Sequence, residues 1–181
     1  MRNITIFVVL LLLSMPCIKA QSRKNIDFST DIMMFVPSAV GGVVSLVKGD
    51  GKGIVQHLEA GAVTVATTYL LKYTVDKRRP DGSDRHSFPS NHCGIAFVGA
   101  SFLQQRYGWQ WGAPAYAVAA YVGWGRIYSK KHDVWDVLAG AAIGVTSGVV
   151  FTSRYAKEHN LSIAPFALPD GGCGLYFSMR L

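Results

Sequence analysis

The sequence predicts an all-α protein, a compact bundle of about five core helices behind an N-terminal signal or anchor segment. Three observations carry that expectation. Runs free of Asp, Glu, Lys and Arg cover 32–47, 60–71, 86–105, 107–125 and 137–153, and glycines, prolines or charged turns separate them. Half of the 181 residues are hydrophobic and only 16% are charged, enough apolar material for one domain with a real core. Alternation of the strand type appears only at the end of the chain, in LYFSMRL.

The elements follow in order. Residues 1–20 have the form of a secretory signal: Arg2 at the front, an apolar run over Ile4–Leu13, and Ile18-Lys19-Ala20 before Gln21. Residues 21–30 (QSRKNIDFST) form a polar lead-in, and Thr30 or Asp31 is placed to cap a first helix over Ile32–Val47. GDGKG at 49–53 is a turn, followed by a second helix over about 54–75 that ends at DKRRPDGSD. Ser87-Phe88-Pro89-Ser90 opens a third helix to about 106; Tyr107-Gly108 ends it; a fourth covers about 111–127 and a fifth about 134–156. The domain then spans 21–159, and 160–181 is an extended tail, either one short strand or simply extended. Most of the apolar runs fall short of the roughly 20 residues that cross a bilayer. Gly140, Gly144 and Gly148 nevertheless form a ridge of small residues suited to close helix packing, in lipid or in any bundle.

The formal charge is +7, and loss of residues 1–20 with Arg2 and Lys19 leaves +5. The basic residues gather near particular turns, which fits an anionic substrate or a membrane surface and not nucleic acid. Three cysteines are too few for a disulfide framework. With Cys17 in the leader, Cys93 and Cys173 are expected as separate thiols.

The chemistry concentrates between Lys72 and Asp136. His132 and Asp136 stand four apart, so one helical face can set the carboxylate against one imidazole nitrogen and leave the other free to attack. Arg126 precedes His132 across a short connection, and its fork suits phosphate oxygens. Lys72 at a helix end and Arg79 before Pro80 add two more cations, the charge stabilisation that phosphoryl transfer needs. Pro89-Ser90-Asn91-His92 opens a helix whose free N–H groups suit an anion, with the Ser90 hydroxyl beside them and His92 placed to protonate a leaving alcohol. His132 and Asp136 also have the spacing of a metal pair, which His92 could complete. His57, His86 and His159 have no supporting partners in the sequence.

Taken in order, Lys72…Arg79-Pro80, Pro89-Ser90-Asn91-His92 and Gly125-Arg126…His132…Asp136 resemble the signature of the type 2 phosphatidic acid phosphatase (PAP2) and vanadium haloperoxidase superfamily over about 55–155. The resemblance implies a PAP2-like helical fold. It implies that His132 is the nucleophile of a phosphohistidine intermediate, oriented by Asp136, with His92 as general acid. It also implies that Lys72, Arg79, Ser90, Asn91 and Arg126 bind phosphate, without metal or other cofactor. Two positions depart from the pattern: Asn91 stands where the family has glycine, and Gly125 where it has serine, which removes one hydroxyl contact worth about 0.5–1.5 kcal/mol. A slower or retuned enzyme is expected.

The function expected is hydrolysis of a lipid-linked phosphomonoester or pyrophosphate, of the lipid A, undecaprenyl pyrophosphate or phosphatidate type. The expected location is the cell envelope, membrane-associated, with the site facing the periplasm or exterior. The partners are the lipid phosphate and the membrane; nucleic acid is not among them. Two rivals stand beside this reading: a soluble exported acid phosphatase on the same scaffold, and a non-catalytic envelope protein that binds anionic lipid headgroups.

Overall fold

The structure, a computed structural model, describes residues 23–155, 162–167 and 173–178. Its helices are α1 (Arg23–Met33), α2 (Val36–Val47), α3 (Gly51–Thr74), α4 (Asn91–Tyr107), α5 (Trp109–Tyr128) and α6 (Val134–Phe151), followed by strands β1 (Ser162–Ala167) and β2 (Cys173–Ser178). The domain is thus an all-α bundle, as the apolar runs predict. The tail differs from expectation in carrying two strands, paired antiparallel from Ser162 opposite Ser178 to Ala167 opposite Cys173. The leader at 1–20 and His159 lie outside the described residues.

α4 is the axis of the bundle. Its apolar residues do not segregate to one face, the pattern of a helix surrounded by protein, and Cys93, Ala96, Ala100, Phe102 and Leu103 are fully buried. α2, α3, α5 and α6 all pack on it. Against α6 the approach is close because that helix presents its glycine ridge. A Cβ on Gly140 would stand 2.3 Å from the Ser90 carbonyl oxygen, and one on Gly144 2.4 Å from that of Gly94. The ridge is therefore a helix-packing surface that seats α6 against the turn carrying Ser90. Cys93 is a free, buried thiol in this core.

At the end of α4 away from that turn, a buried ion pair fixes the bundle. Asp50 caps α3 by accepting from the Gly53 N–H at 2.9 Å. It also accepts from Arg106 Nε (2.7 Å) and Nη2 (2.6 Å) and from the Tyr107 hydroxyl (2.7 Å). Both charges are buried, so every lone pair needs such a donor.

The largest departure from the sequence reading is at the start. The predicted polar lead-in is a helix, and Thr30 and Asp31 are interior residues of it and cap nothing. α1 buries only Ile26 and Thr30, too weak an apolar stripe to announce a helix. It docks on α5 through polar contacts: Ser29 Oγ with the Tyr121 hydroxyl at 2.7 Å, and Arg126 with Asp27 and Asp31. α2 then starts at Val36 with Pro37 in its first turn, where a missing N–H is harmless.

Candidate active site

The three predicted segments meet at one end of the bundle. The connection from α3 to α4, residues 75–90, folds over the α5–α6 turn. It is fastened by the Asp81 N–H to the Lys130 carbonyl (3.0 Å) and by Lys131 Nζ to Asp81 Oδ2 (2.8 Å). Beneath it lies a cleft of about 320 Å³ lined by Lys72, Arg79, Asn91, His92 and His132, together with Tyr69, Tyr73, Asp84 and His86. Ser90, Arg126 and Asp136 are buried next to it and do not line it.

His132 sits just before α6, two residues earlier than the helix begins, and is 2% exposed. Asp136 is the third residue of α6 and forms a capping box with Asp133: the Asp136 N–H donates to Asp133 Oδ1 at 3.0 Å, and the Asp133 N–H donates to Asp136 Oδ2 at 3.1 Å. That box presses the carboxylate back toward His132, whose Nδ1 is 3.6 Å from Asp136 Oδ2. The distance is longer than a hydrogen bond; such contacts commonly tighten when substrate arrives. Two donors that the sequence reading missed complete the carboxylate's shell. Lys77 Nζ reaches Asp136 Oδ1 at 2.7 Å and Asp133 Oδ2 at 2.6 Å, and the Ser87 hydroxyl donates to Asp136 Oδ2. Burial pushes the His132 pKa below the ordinary imidazole range, and Arg126, Arg79 and Lys72 add to that against the pull of Asp136. The ring is thus held neutral, the form that attacks phosphorus.

The cations are anchored one by one. Arg79 donates through Nε to Asp84 Oδ1 at 2.9 Å, and Lys72 Nζ donates to the His86 carbonyl at 2.8 Å. Arg126, 4% exposed, spends Nη1 on Asp27 Oδ1 (2.7 Å) and Asp31 Oδ1 (3.0 Å). His92 Nε2 meets the same Asp31 Oδ1 at 2.8 Å. Asp27 and Asp31 were not foreseen as site residues. His86, read from sequence as unsupported, lines the cleft, with its ring edge-on to Tyr73 at 5.4 Å. His57 is structural, its ring tilted against that of Phe102 at 4.4 Å.

Four buried polar atoms of this region have no hydrogen-bond partner: Ser90 Oγ, Asn91 Oδ1, Arg126 Nε and His132 Nδ1. Buried polar atoms are paired in the great majority of cases; His132 Nδ1 faces the Asp136 carboxylate, while the two donors, Ser90 Oγ at the opening turn of α4 and Arg126 Nε, mark a place built for a ligand that accepts. For the metal alternative, His92 Nε2 pairs with Asp31, and among the described residues no three His, Cys, Asp or Glu side chains converge as a metal would need.

The sequence matches the PAP2 superfamily over residues 53–159. The chain belongs to that superfamily. Among curated relatives it is 31% identical over 139 residues to a lipid A 4'-phosphatase of Helicobacter pylori, across 71% of this chain and 70% of that protein. It is 38% identical over 105 residues to a lipid A 1-phosphatase of Porphyromonas gingivalis, across 56% of this chain but only 23% of the relative's length. Two solved structures share the fold at 21% identity. Aquifex aeolicus LpxE superposes with a TM-score of 0.59 over 73% of this chain and 87% of that one. A transmembrane PAP2 type phosphatidylglycerolphosphate phosphatase from Bacillus subtilis gives 0.58 over 71% and 74%. Gly125, where the PAP2 pattern has serine, proves to be a contact point: a Cβ there would stand 2.4 Å from Thr30 Cγ2 and 3.2 Å from Ile26 Cγ2 of α1.

Proposed function

We propose that the protein is a membrane-associated PAP2 phosphatase that hydrolyses a lipid-linked phosphomonoester or pyrophosphate through a phosphohistidine on His132. The observation that carries this reading is the convergence of Lys72, Arg79, Asn91, His92 and His132 on one cleft, with Asp136 against the far nitrogen of His132. The phosphate would sit at the opening turn of α4, on the Asn91 and His92 N–H groups, within reach of Ser90 Oγ, Arg126 Nε, Lys72 and Arg79. His132 Nε2 attacks phosphorus in line. The His132–phosphorus bond forms as the phosphorus–oxygen bond breaks, and His92 gives its proton to the departing oxygen. Water then attacks the phosphohistidine, His92 takes that water's proton, and phosphate leaves with the enzyme restored. No step calls on a metal.

Lipid A is the first substrate to test, because two relatives act on it by name. Membrane association is supported by segments Arg23–Val47 and Val134–Phe151, both long and apolar enough to cross a bilayer. Exposed Leu46, Leu58, Leu70, Trp135 and Val150 add to it. The cleft is proposed to face the periplasm or exterior, the side to which a signal at 1–20 would deliver the chain.

The test is phosphate release by the detergent-solubilised full chain from lipid A, undecaprenyl pyrophosphate and phosphatidate, with EDTA present. The expected result is release by the parent and none by His132→Ala. Equal release by both would remove His132 from the mechanism. Retained headgroup binding without release by the parent would make this a binding protein.

A further inference from the structure

The part of the chain that matches the family begins at residue 53, yet two side chains that touch the site come from α1, well before it. Asp31 Oδ1 is shared between His92 Nε2 at 2.8 Å and Arg126 Nη1 at 3.0 Å, and Asp27 Oδ1 holds the same Nη1 at 2.7 Å. Neither carboxylate lines the cleft that His92 lines, so α1 grips the histidine and the arginine from outside it. Gly125 permits this, since a side chain there would run into Thr30 and Ile26.

Resting on the reading of His92 as general acid and base, we propose that Asp31 is the positioning residue for His92, and that α1 is thereby a working part of the active site. His92–Asp31 then stands to His132–Asp136 as a second carboxylate-backed imidazole. An ionised carboxylate only accepts, so Nε2 carries the hydrogen shared with Asp31. The other ring nitrogen is the one that gives its proton to the leaving oxygen and later takes one from water. The same carboxylate occupies one end of the Arg126 fork and leaves Nε, buried and unpartnered, for phosphate. The groups facing His92 are Asp31 from α1, Arg126 from α5 and His132 from the α5–α6 connection. Of these, only Asp31 favours the protonated ring. Burial, Arg126 and His132 work against it and prevail, holding the pKa of the ring down to about 4; a phosphate dianion bound beside the ring adds the negative charge that favours its protonated form.

The test compares Asp31→Asn with the parent on two soluble esters, p-nitrophenyl phosphate and an alkyl phosphate. The readout is kcat/KM, which reports the step in which the leaving group departs. Nitrophenolate leaves without a proton and an alkoxide does not, so a defect in proton delivery falls on the alkyl ester. Expected is a loss of about 100-fold on the alkyl phosphate, the scale of general acid catalysis, against less than about 5-fold on the nitrophenyl ester. The alkaline limb of the alkyl-ester profile should also move to lower pH. Equal losses on both esters with a lowered Tm would make Asp31 a packing residue and overturn the proposal; unchanged kinetics on both would overturn it too. Running His132→Ala on both esters separates the two levels. If that variant is dead while Asp31→Asn shows no leaving-group effect, the phosphohistidine reading stands and only the role of Asp31 falls.

Discussion

Restoring serine at position 125 offers a sharp test, because the family pattern and the structure point in opposite directions. From the pattern alone, Gly125→Ser returns a hydroxyl to the phosphate site and should help. From the structure, the Cβ alone would lie 2.4 Å from Thr30 Cγ2 and 3.2 Å from Ile26 Cγ2, before the hydroxyl is placed. Thr30 cannot swing away freely: it is fully buried, and its Oγ1 donates to the Asp27 carbonyl at 2.8 Å. Overpacking of this kind costs about 1–3 kcal/mol, and in a domain of this size each kcal/mol lowers Tm by about 2–4 °C. The cheaper relief is for α1 to lift from α5, which draws Asp27 and Asp31 off Arg126 and His92. Gly125→Ser is therefore expected to lower both Tm and kcat/KM for a lipid phosphate. Thr30→Ala in the same chain should recover part of both, with the coupling read from the double-mutant cycle. A Gly125→Ser protein as stable as the parent and more active would refute the reasoning, and with it the claim that Gly125 exists to admit α1.

Three further outcomes are expected. Lys77→Met removes the ammonium from a buried carboxylate, and because Lys77 is itself 31% exposed the loss should be about 1–3 kcal/mol by denaturant titration, below that of a fully buried pair, with kcat lowered; an unaltered midpoint would show that Ser87 and the Asp133 N–H suffice for Asp136. The acid limb of kcat/KM belongs to His132, which must be neutral to attack; its pKa is depressed, so activity should persist as pH falls below the ordinary imidazole value of about 6.5, and a limb centred at or above 6.5 would contradict the assignment. Gly140→Ala puts a methyl 2.3 Å from the Ser90 carbonyl oxygen and should weaken both stability and phosphate binding, seen as a lower Tm and a raised Ki for inorganic phosphate; a change in neither would mean that α6 does not fix the Ser90 turn.

What could be read from the sequence was whatever leaves a periodic or positional mark. The apolar runs gave α3 to α6 to within a few residues, because a bundle helix must be apolar over its length and the turns between them carry glycine, proline or charge. Lys72, Arg79, Ser90, Asn91, Arg126, His92, His132 and Asp136 could be picked out because each sits at a fixed offset from a helix end. α1 left no such mark: two buried residues in eleven make no stripe, and Thr30-Asp31 before an apolar run has the look of an N-cap. Its carboxylates face polar partners some 60 to 100 residues away in sequence, a relation that no local rule reports. Lys77 was hidden in the same way. In DKRRP nothing local tells which of three adjacent cations reaches Asp136; the bridge that pairs Lys77 with His86, and the Ser87 N–H donated to the Lys77 carbonyl at 2.9 Å, place Lys77 there.

These long-range pairs account for how a site with four cations can hold together without substrate. Lys77 is neutralised by Asp133 and Asp136, Arg79 by Asp84, and Arg126 by Asp27 and Asp31. Each arginine is held by one edge only, Arg79 through Nε and Arg126 through Nη1, which fixes the plane of the fork and leaves other donors for an anion. A guanidinium so fixed reorganises little when charge develops on the transferring phosphoryl group, and that is where electrostatic catalysis gains its strength. Lys72 differs, being anchored on the neutral His86 carbonyl, so its charge is not spent on a carboxylate. A phosphate entering the cleft therefore meets the pre-aimed Arg79 fork and a lysine that forms no ion pair among the described residues, with the Arg126 fork buried beside them. On this account Lys72→Ala should raise KM for a dianionic phosphate more than Arg79→Ala does, whereas Arg79→Ala should fall more heavily on kcat. Steady-state kinetics of the two variants on one lipid phosphate decide it, and the reverse order would mean that the carboxylate anchors weaken the arginines instead of aiming them.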